Sequence, residues 1–188
     1  LVLMDSYKLT PWTSLGQCFL AGVVAGSICL GLHLGIQQMF SVPDGALRRL
    51  IAPVTEESLK AIYLWYLLFR KKIGFLVDAA ICGATIGAGF ACLENILYAL
   101  QLEGESVLLW IVRGFGTALM HIGATALLAM MTKSLLDRRS CRFLRGLLPG
   151  WLVAILSHSL FNHFLLPPVV ATLLLVLLKT GGGRAWRG

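Results

Sequence analysis

Six apolar segments separated by short polar connections are the feature that most constrains how this chain can fold. They lie at about residues 14–38, 50–70, 75–100, 106–131, 144–166 and 167–179. A helix needs about 20 apolar residues to cross the hydrocarbon core of a bilayer. Soluble domains are about a quarter charged, whereas this chain is 13% charged and 57% hydrophobic. The sequence therefore predicts an all-α, polytopic transmembrane bundle of about six spans, with residues 1–188 forming a single domain.

The distribution of Lys and Arg predicts the orientation of this bundle. One set of alternate connections holds 12 of these residues, and the other set holds two, Arg48 and Arg49. Because cytoplasmic connections carry the excess of positive charge, we expect both termini in the cytoplasm. The net charge of +7 is then a consequence of topology. We accordingly expect the lipid bilayer as a partner, and no nucleic acid.

Three charged residues lie inside the second apolar segment, in the stretch "TEESLK". They are Glu56, Glu57 and Lys60. A charged side chain at the centre of a transmembrane helix costs about 2.5–3.5 kcal/mol, so their presence needs a reason. One possible reason is local, because Thr55 could cap a helix that starts here and acidic residues are favoured in a first turn.

Polar residues recur at a similar depth in three further segments, which favours a different reason. These residues are Glu94, Asn95 and Tyr98 in the third segment, Arg113 and His121 in the fourth, and His158 and Asn162 in the fifth. A rise of 1.5 Å per residue places most of them in the outer half of the bilayer, level with the two glutamates. Spacings of four, as in Glu94–Tyr98 and His158–Asn162, place such pairs on one helix face. Four helices are therefore expected to direct polar groups to one functional site.

The residue types at this predicted site suit peptide-bond hydrolysis. That reaction needs an activated water, stabilisation of charge on the carbonyl oxygen and a proton for the leaving amine. Glu56 and Glu94 could provide the base and the proton donor, and His158 and Asn162 could donate two hydrogen bonds to the oxyanion. Either Lys60 or Arg113 could neutralise Glu57, and Asn95, Tyr98 and His121 are supporting candidates.

Two alternatives stay open at this point. A zinc ion could be held by Glu56, Glu94, His121 and His158, although the chain has no H-E-x-x-H motif and we favour a metal-free mechanism without a cofactor. Buried Glu, His and Arg clusters also form proton pathways, so a proton-coupled transporter is possible, as is a non-proteolytic scaffold.

Four motifs in order resemble those of the PrsW family of intramembrane proteases, in the clan of the CAAX prenyl endopeptidases and bacterial ABI-type membrane proteins. The motifs are "EESLK" (56–60), "FACLENILY" (90–98), "RGFGTALMH" (113–121) and "HSLFN" (158–162), and the resemblance covers about residues 50–165. It implies an endopeptidase embedded in a prokaryotic plasma membrane that cuts a membrane-associated protein or peptide. It also implies that Glu56 activates water, that His158 and Asn162 bind the oxyanion, and that Glu94 stands where the prenyl-protein branch has His. No residue selects the substrate, the cleavage site or an oligomeric state.

Overall fold

The computed structural model describes residues 10–101, 107–138 and 143–164, and all regular structure in these ranges is helical. The helices are α1 (Trp12–Phe40), α2 (Asp44–Ala46), α3 (Ala52–Phe69), α4 (Leu76–Gln101), α5 (Val107–Arg138) and α6 (Phe143–Leu160). A π-helical turn, Leu47–Ile51, joins α2 directly to α3. The all-α prediction is confirmed for this part of the chain. The sixth predicted segment, 167–179, lies outside the described residues.

Three of the helices contain a stretch that is long and apolar enough to cross a membrane. These stretches are Trp12–Phe40, Leu76–Leu100 and Arg113–Arg138. On α1, large apolar side chains such as Leu20, Ile28 and Leu32 are exposed on the outside of the bundle, as expected of a surface that contacts lipid rather than water. The number of spans beyond these three stays a prediction.

Helix α4 lies at the centre of the bundle, between α1 and α5. Its glycines allow this close packing. A Cβ atom at Gly83 or Gly87 would overlap the main chain of α5, and one at Gly89 would overlap the carbonyl oxygen of Phe19 in α1. Small residues let transmembrane helices approach to backbone contact. The stretch "GATIGAG" (83–89) is therefore a helix-packing face.

Helices α3 and α6 complete the bundle, with α3 against α1 and α6, and α6 also against α5. Fully buried apolar side chains, among them Leu64, Ile86 and Leu128, form the core that joins these helices. The indole Nε1 of Trp151 in α6 donates to the Ser58 hydroxyl in α3 over 3.1 Å. These contacts fix how α3 is rotated, and that rotation decides where the charged residues of α3 point.

The prediction that Thr55 caps α3 is wrong. The helix begins at Ala52, and its N-cap residue, Ile51, makes no side-chain capping bond. The Thr55 hydroxyl instead lies 3.0 Å from the carbonyl oxygen of Ile51 and 3.1 Å from that of Ala52. The π-helical turn runs into α3 without a break, so another helical turn precedes the first amide groups of α3. The start of α3 is therefore not a free helix N-terminus that Thr55 could cap.

Candidate active site

The two glutamates and the lysine of α3 point into the bundle. Glu57 and Lys60 are fully buried, and Glu56 is nearly so. The Lys60 ammonium lies 2.6 Å from Glu57 Oε1 and 4.4 Å from the centre of the Phe90 ring. This ion pair and the cation–π contact compensate for the removal of the lysine charge from water. The charges that were costly in the sequence are thus paired inside the protein.

His121 of α5 links this pair to α4. Its Nδ1 atom lies 2.9 Å from Lys60 Nζ, and its Nε2 atom lies 2.7 Å from Glu94 Oε2. An ammonium group is only a donor, so Nδ1 accepts from Lys60 and Nε2–H donates to the Glu94 carboxylate. Glu94 is the most open of the three acids, with 38% of its side chain exposed against 10% for Glu56 and 0% for Glu57. Glu94 is therefore the acid through which the cluster is accessible from outside the helix bundle.

His158 of α6 belongs to the same cluster. Its Nδ1 atom lies 2.9 Å from Glu57 Oε1, and its ring contacts that of His121 edge to face, with 4.9 Å between the ring centres. A carboxylate accepts only, so Nδ1–H donates to Glu57. The opposite ring nitrogen, Nε2, lies 3.9 Å from Glu56 Oε2 and carries a lone pair when the imidazole is neutral.

Glu56 Oε2 has no hydrogen-bond partner among the described residues, although it is buried. It lies 3.9 Å from the Nε2 atoms of both His121 and His158. One ligand atom from each of these three residues lies within 4.8 Å of the others. An unpaired buried carboxylate oxygen is costly, so this arrangement calls for a water molecule or a cation between the three side chains.

The residues present fit a divalent metal such as zinc. Imidazole nitrogen and carboxylate oxygen are both zinc ligands, and about 2.0–2.1 Å bonds in a tetrahedral site place ligand atoms about 3.4 Å apart. The two Glu56–imidazole separations of 3.9 Å would have to shorten to reach this geometry, and His121 Nε2 would have to give its proton to Glu94 in order to offer a lone pair. His158 already has the carboxylate partner on its second nitrogen that metal-binding histidines usually have, here Glu57.

Three predicted supporting residues line a small cleft beside Glu94 instead of joining the cluster. The guanidinium of Arg113 lies 3.3 Å from the centre of the Tyr98 ring, and Asn95 Nδ2 donates to the Gly114 carbonyl oxygen over 3.0 Å. The cleft, which Thr117 also lines, has a volume of about 10 Å³, enough for about one water molecule. These contacts join the ends of α4 and α5 next to the exposed side of Glu94.

Asn162 lies elsewhere than the sequence led us to expect. Its Nδ2 group donates to the carbonyl oxygen of Arg48 over 2.8 Å, and Ser159 donates to that of Arg49 over 2.8 Å. Both bonds go to the π-helical turn before α3. The structure thus brings together six predicted residues, namely Glu56, Glu57, Lys60, Glu94, His121 and His158, and places Asn162 apart from them.

His33 is a contact residue that the sequence analysis did not single out. Its Nε2 atom lies 2.8 Å from the hydroxyl of Thr55, the residue before Glu56. The only available signal was its position in the outer third of the first apolar segment, level with the other polar residues. A lone histidine at that position is typical of a membrane interface, and an interfacial role is the interpretation that the sequence favoured.

A family model described as the PrsW family intramembrane metalloprotease matches residues 10–180. The chain belongs to the PrsW family. It is accordingly an integral membrane protein and a peptidase, which agrees with its apolar helices and its buried Glu/His cluster. Comparisons with curated proteins and with solved structures gave no match. The family match includes α1 as well as the helices that carry the motifs. It therefore extends beyond residues 50–165, the region over which this PrsW-family protein shows the motif resemblance.

Proposed function

We propose that this PrsW-family protein hydrolyses a peptide bond of a membrane-associated protein or peptide with the help of a divalent metal held by Glu56, His121 and His158. One observation carries the proposal. The buried Glu56 Oε2 atom has no hydrogen-bond partner in the described part of the chain, and it faces the Nε2 atoms of both histidines at 3.9 Å. The family description as metalloproteases supports the same assignment.

The metal would act as a Lewis acid on the scissile carbonyl and on a water molecule. The other groups of the site have separate tasks. Glu57 accepts a hydrogen bond from His158 Nδ1 and so directs the lone pair of Nε2 toward Glu56. Lys60 neutralises Glu57, which allows that carboxylate to stay buried next to Glu56.

Glu94 is the group best placed for proton transfer. It is the most exposed acid of the cluster, and it borders the small cleft with Arg113 and Thr117. A carboxylate at the mouth of the site can take a proton from water and deliver it to the leaving amine. Glu94 is therefore proposed as general base and acid, in place of the base role that the resemblance gives to Glu56.

A second candidate is the metal-free mechanism, in which Glu56 activates water directly. One observation favours it, because both ring nitrogens of His121 are already engaged, by Lys60 and by Glu94. This mechanism has a specific requirement. With Asn162 bonded to Arg48, His158 Nε2 is the remaining member of the expected pair of oxyanion donors, and it donates only if His158 carries protons on both nitrogens.

Metal content separates these two candidates. We expect the purified protein, loaded with Zn²⁺ in detergent and desalted, to retain about one equivalent, and the Glu56→Gln and His158→Ala variants to retain less than a tenth of that. His163→Ala is the matched control, because His163 lies one turn from Ser159 and bonds to its carbonyl oxygen, outside the cluster.

Activity completes the test, with a panel of co-expressed single-span reporters tagged at both ends. Cleavage that is lost with a chelator and restored by Zn²⁺ supports the metal-dependent candidate. Cleavage that needs Glu56 and His158 but survives chelation, in a protein that retains no zinc, supports the metal-free one. If both variants cut as well as wild type, both candidates are wrong.

A further inference from the structure

The π-helical turn Leu47–Ile51 determines which side chains of α3 face the histidines. Ala52 N–H donates to the Leu47 carbonyl oxygen, five residues back, where an α-helix would bond four residues back. Conversion of this turn to α-helix would shift the register by one residue, which corresponds to a rotation of about 100° and a rise of about 1.5 Å. Glu56 and Glu57 are adjacent, so such a rotation would remove both from their present partners.

Side chains from two other helices hold this turn. From the end of α6, Asn162 Nδ2 donates to the Arg48 carbonyl oxygen and Ser159 Oγ donates to that of Arg49, each over 2.8 Å. These bonds satisfy two carbonyl groups of the π-helical turn. The π-helix is rare and is found mostly as single turns near functional sites. The C-terminal end of α6 thereby pins the turn from one side.

From α1, His33 holds the first turn of α3. The Thr55 hydroxyl has one hydrogen, which it donates to the carbonyl oxygens of Ile51 and Ala52. It can therefore only accept from His33 Nε2–H, at 2.8 Å. The bonds run from His33 through Thr55 to Ile51, the last residue of the π-helical turn, and Thr55 directly precedes Glu56.

We infer that His33, Ser159 and Asn162 are positioning residues that hold the π-helical turn and so aim Glu56 and Glu57 at His121 and His158. Asn162 then acts through the main chain of residues 48–52 and not as an oxyanion donor. This inference rests on the proposed function, in that Glu56 and Glu57 belong to the reactive site. It adds His33, which lies outside the four motifs, and Ser159, which lies within the fourth motif but has no role in the sequence analysis.

The test compares steady-state cleavage of a purified single-span reporter by His33→Phe, Ser159→Ala and Asn162→Asp. Each removes one donor, and we expect each to lower kcat about 10- to 100-fold with KM within threefold of wild type. His33→Gln, whose amide can place a donor near the position of Nε2, should recover kcat to within about threefold. Ser27→Ala, which removes an exposed hydroxyl that bonds within α1 to the Val23 carbonyl oxygen, should leave both constants unchanged.

A second readout does not depend on turnover. Co²⁺ loaded into the wild-type site should give visible absorption bands that report ligand geometry, and the three donor variants should alter these bands while His33→Gln restores them. The inference is overturned if Asn162→Asp loses activity while Ser159→Ala and His33→Phe keep wild-type kcat and spectra, since an oxyanion donor would behave in this way. If wild type binds no Co²⁺ and cuts no reporter, it is the proposed function that fails.

Discussion

Lys60 Nζ lies 2.6 Å from Glu57 Oε1, and neither side chain has any exposed surface. Glu57 Oε1 also accepts from His158 Nδ1 over 2.9 Å, so a single carboxylate oxygen joins a cation of its own helix to a histidine of α6. Removing one partner of a buried ion pair leaves an uncompensated charge, which costs more than the pair itself contributes.

The first prediction concerns this pair. Lys60→Met should lower the free energy of unfolding by about 3–5 kcal/mol because it leaves Glu57 buried without its cation. The double variant Lys60→Met/Glu57→Gln should be more stable than Lys60→Met alone. Unfolding in mixed micelles titrated with SDS measures both.

An ion pair with one exposed partner provides the control. Lys133 Nζ lies 2.7 Å from Asp137 Oδ1, with 12% of the Lys133 side chain and 54% of the Asp137 side chain exposed. Because Asp137 stays in contact with water when Lys133 is replaced, Lys133→Met should cost less than about 1 kcal/mol. Equal losses for Lys60→Met and Lys133→Met would contradict the view that Glu57 depends on a buried counter-ion.

The second prediction concerns Glu94, which accepts from His121 Nε2–H at 2.7 Å. Glu94→Gln keeps the shape of the side chain but cannot exchange a proton, so reporter cleavage should fall about 10²- to 10⁴-fold while thermal stability in detergent stays near that of wild type. Cys92→Ser, at an exposed position two residues away, should cut normally. Activity of Glu94→Gln within threefold of wild type would exclude Glu94 as the proton-transfer group.

The third prediction concerns the contact between α1 and α4. Gly89→Ala would place a methyl group onto the carbonyl oxygen of Phe19 and should lower the free energy of unfolding by about 1–3 kcal/mol, as overpacking typically does. Gly31→Ala, where nothing lies within 4 Å of the added atom, should be neutral or slightly stabilising because alanine favours helix. If both variants unfold at the same SDS fraction, the close approach of these helices is not as described.

The fourth prediction concerns orientation in the membrane. The excess of Lys and Arg on one set of connections predicts that Lys72 lies in the cytoplasm and Asp44 outside. In a background without cysteine, a membrane-impermeant maleimide should label Asp44→Cys on intact cells and Lys72→Cys only after permeabilisation. The reverse pattern would show that both termini face outward and that the site opens to the other side.

Much of the fold could be predicted from the sequence because apolar length and residue spacing are local properties. The predicted segments at 14–38 and 75–100 correspond to α1 and α4 to within two residues at each end. The spacing of four that links Glu56 to Lys60 places both on one face in any α-helix. The membership of Glu56, Glu94, His121 and His158 in one cluster follows from the same spacing together with the cost of exposing such groups to lipid.

The hydrogen-bond partners of these residues could not be predicted. His158 and Asn162 are four residues apart and on one face in the sequence, yet His158 binds Glu57 and Asn162 binds the main chain of Arg48. The chain leaves α6 in a π-helical turn at residues 161–164, and this turn changes the direction of Asn162 relative to a regular α-helix. No pattern in the stretch "LRRLI" signals the π-helical turn Leu47–Ile51 either.

The sequence by itself determined that the chain is helical, that its apolar segments suit a membrane, and which ionisable residues have to be sheltered from lipid. The tertiary structure alone decided that Glu56 Oε2 faces two imidazole nitrogens, that Glu57 is the residue paired with Lys60, and that Asn162 and His33 hold the start of α3. The physical reason is that the spacing of residues along the sequence specifies which helix face they share, whereas their hydrogen-bond partners depend on the rotation of each helix about its axis. That rotation is set by glycine contacts, the apolar core and two π-helical turns, which act between segments distant in the chain.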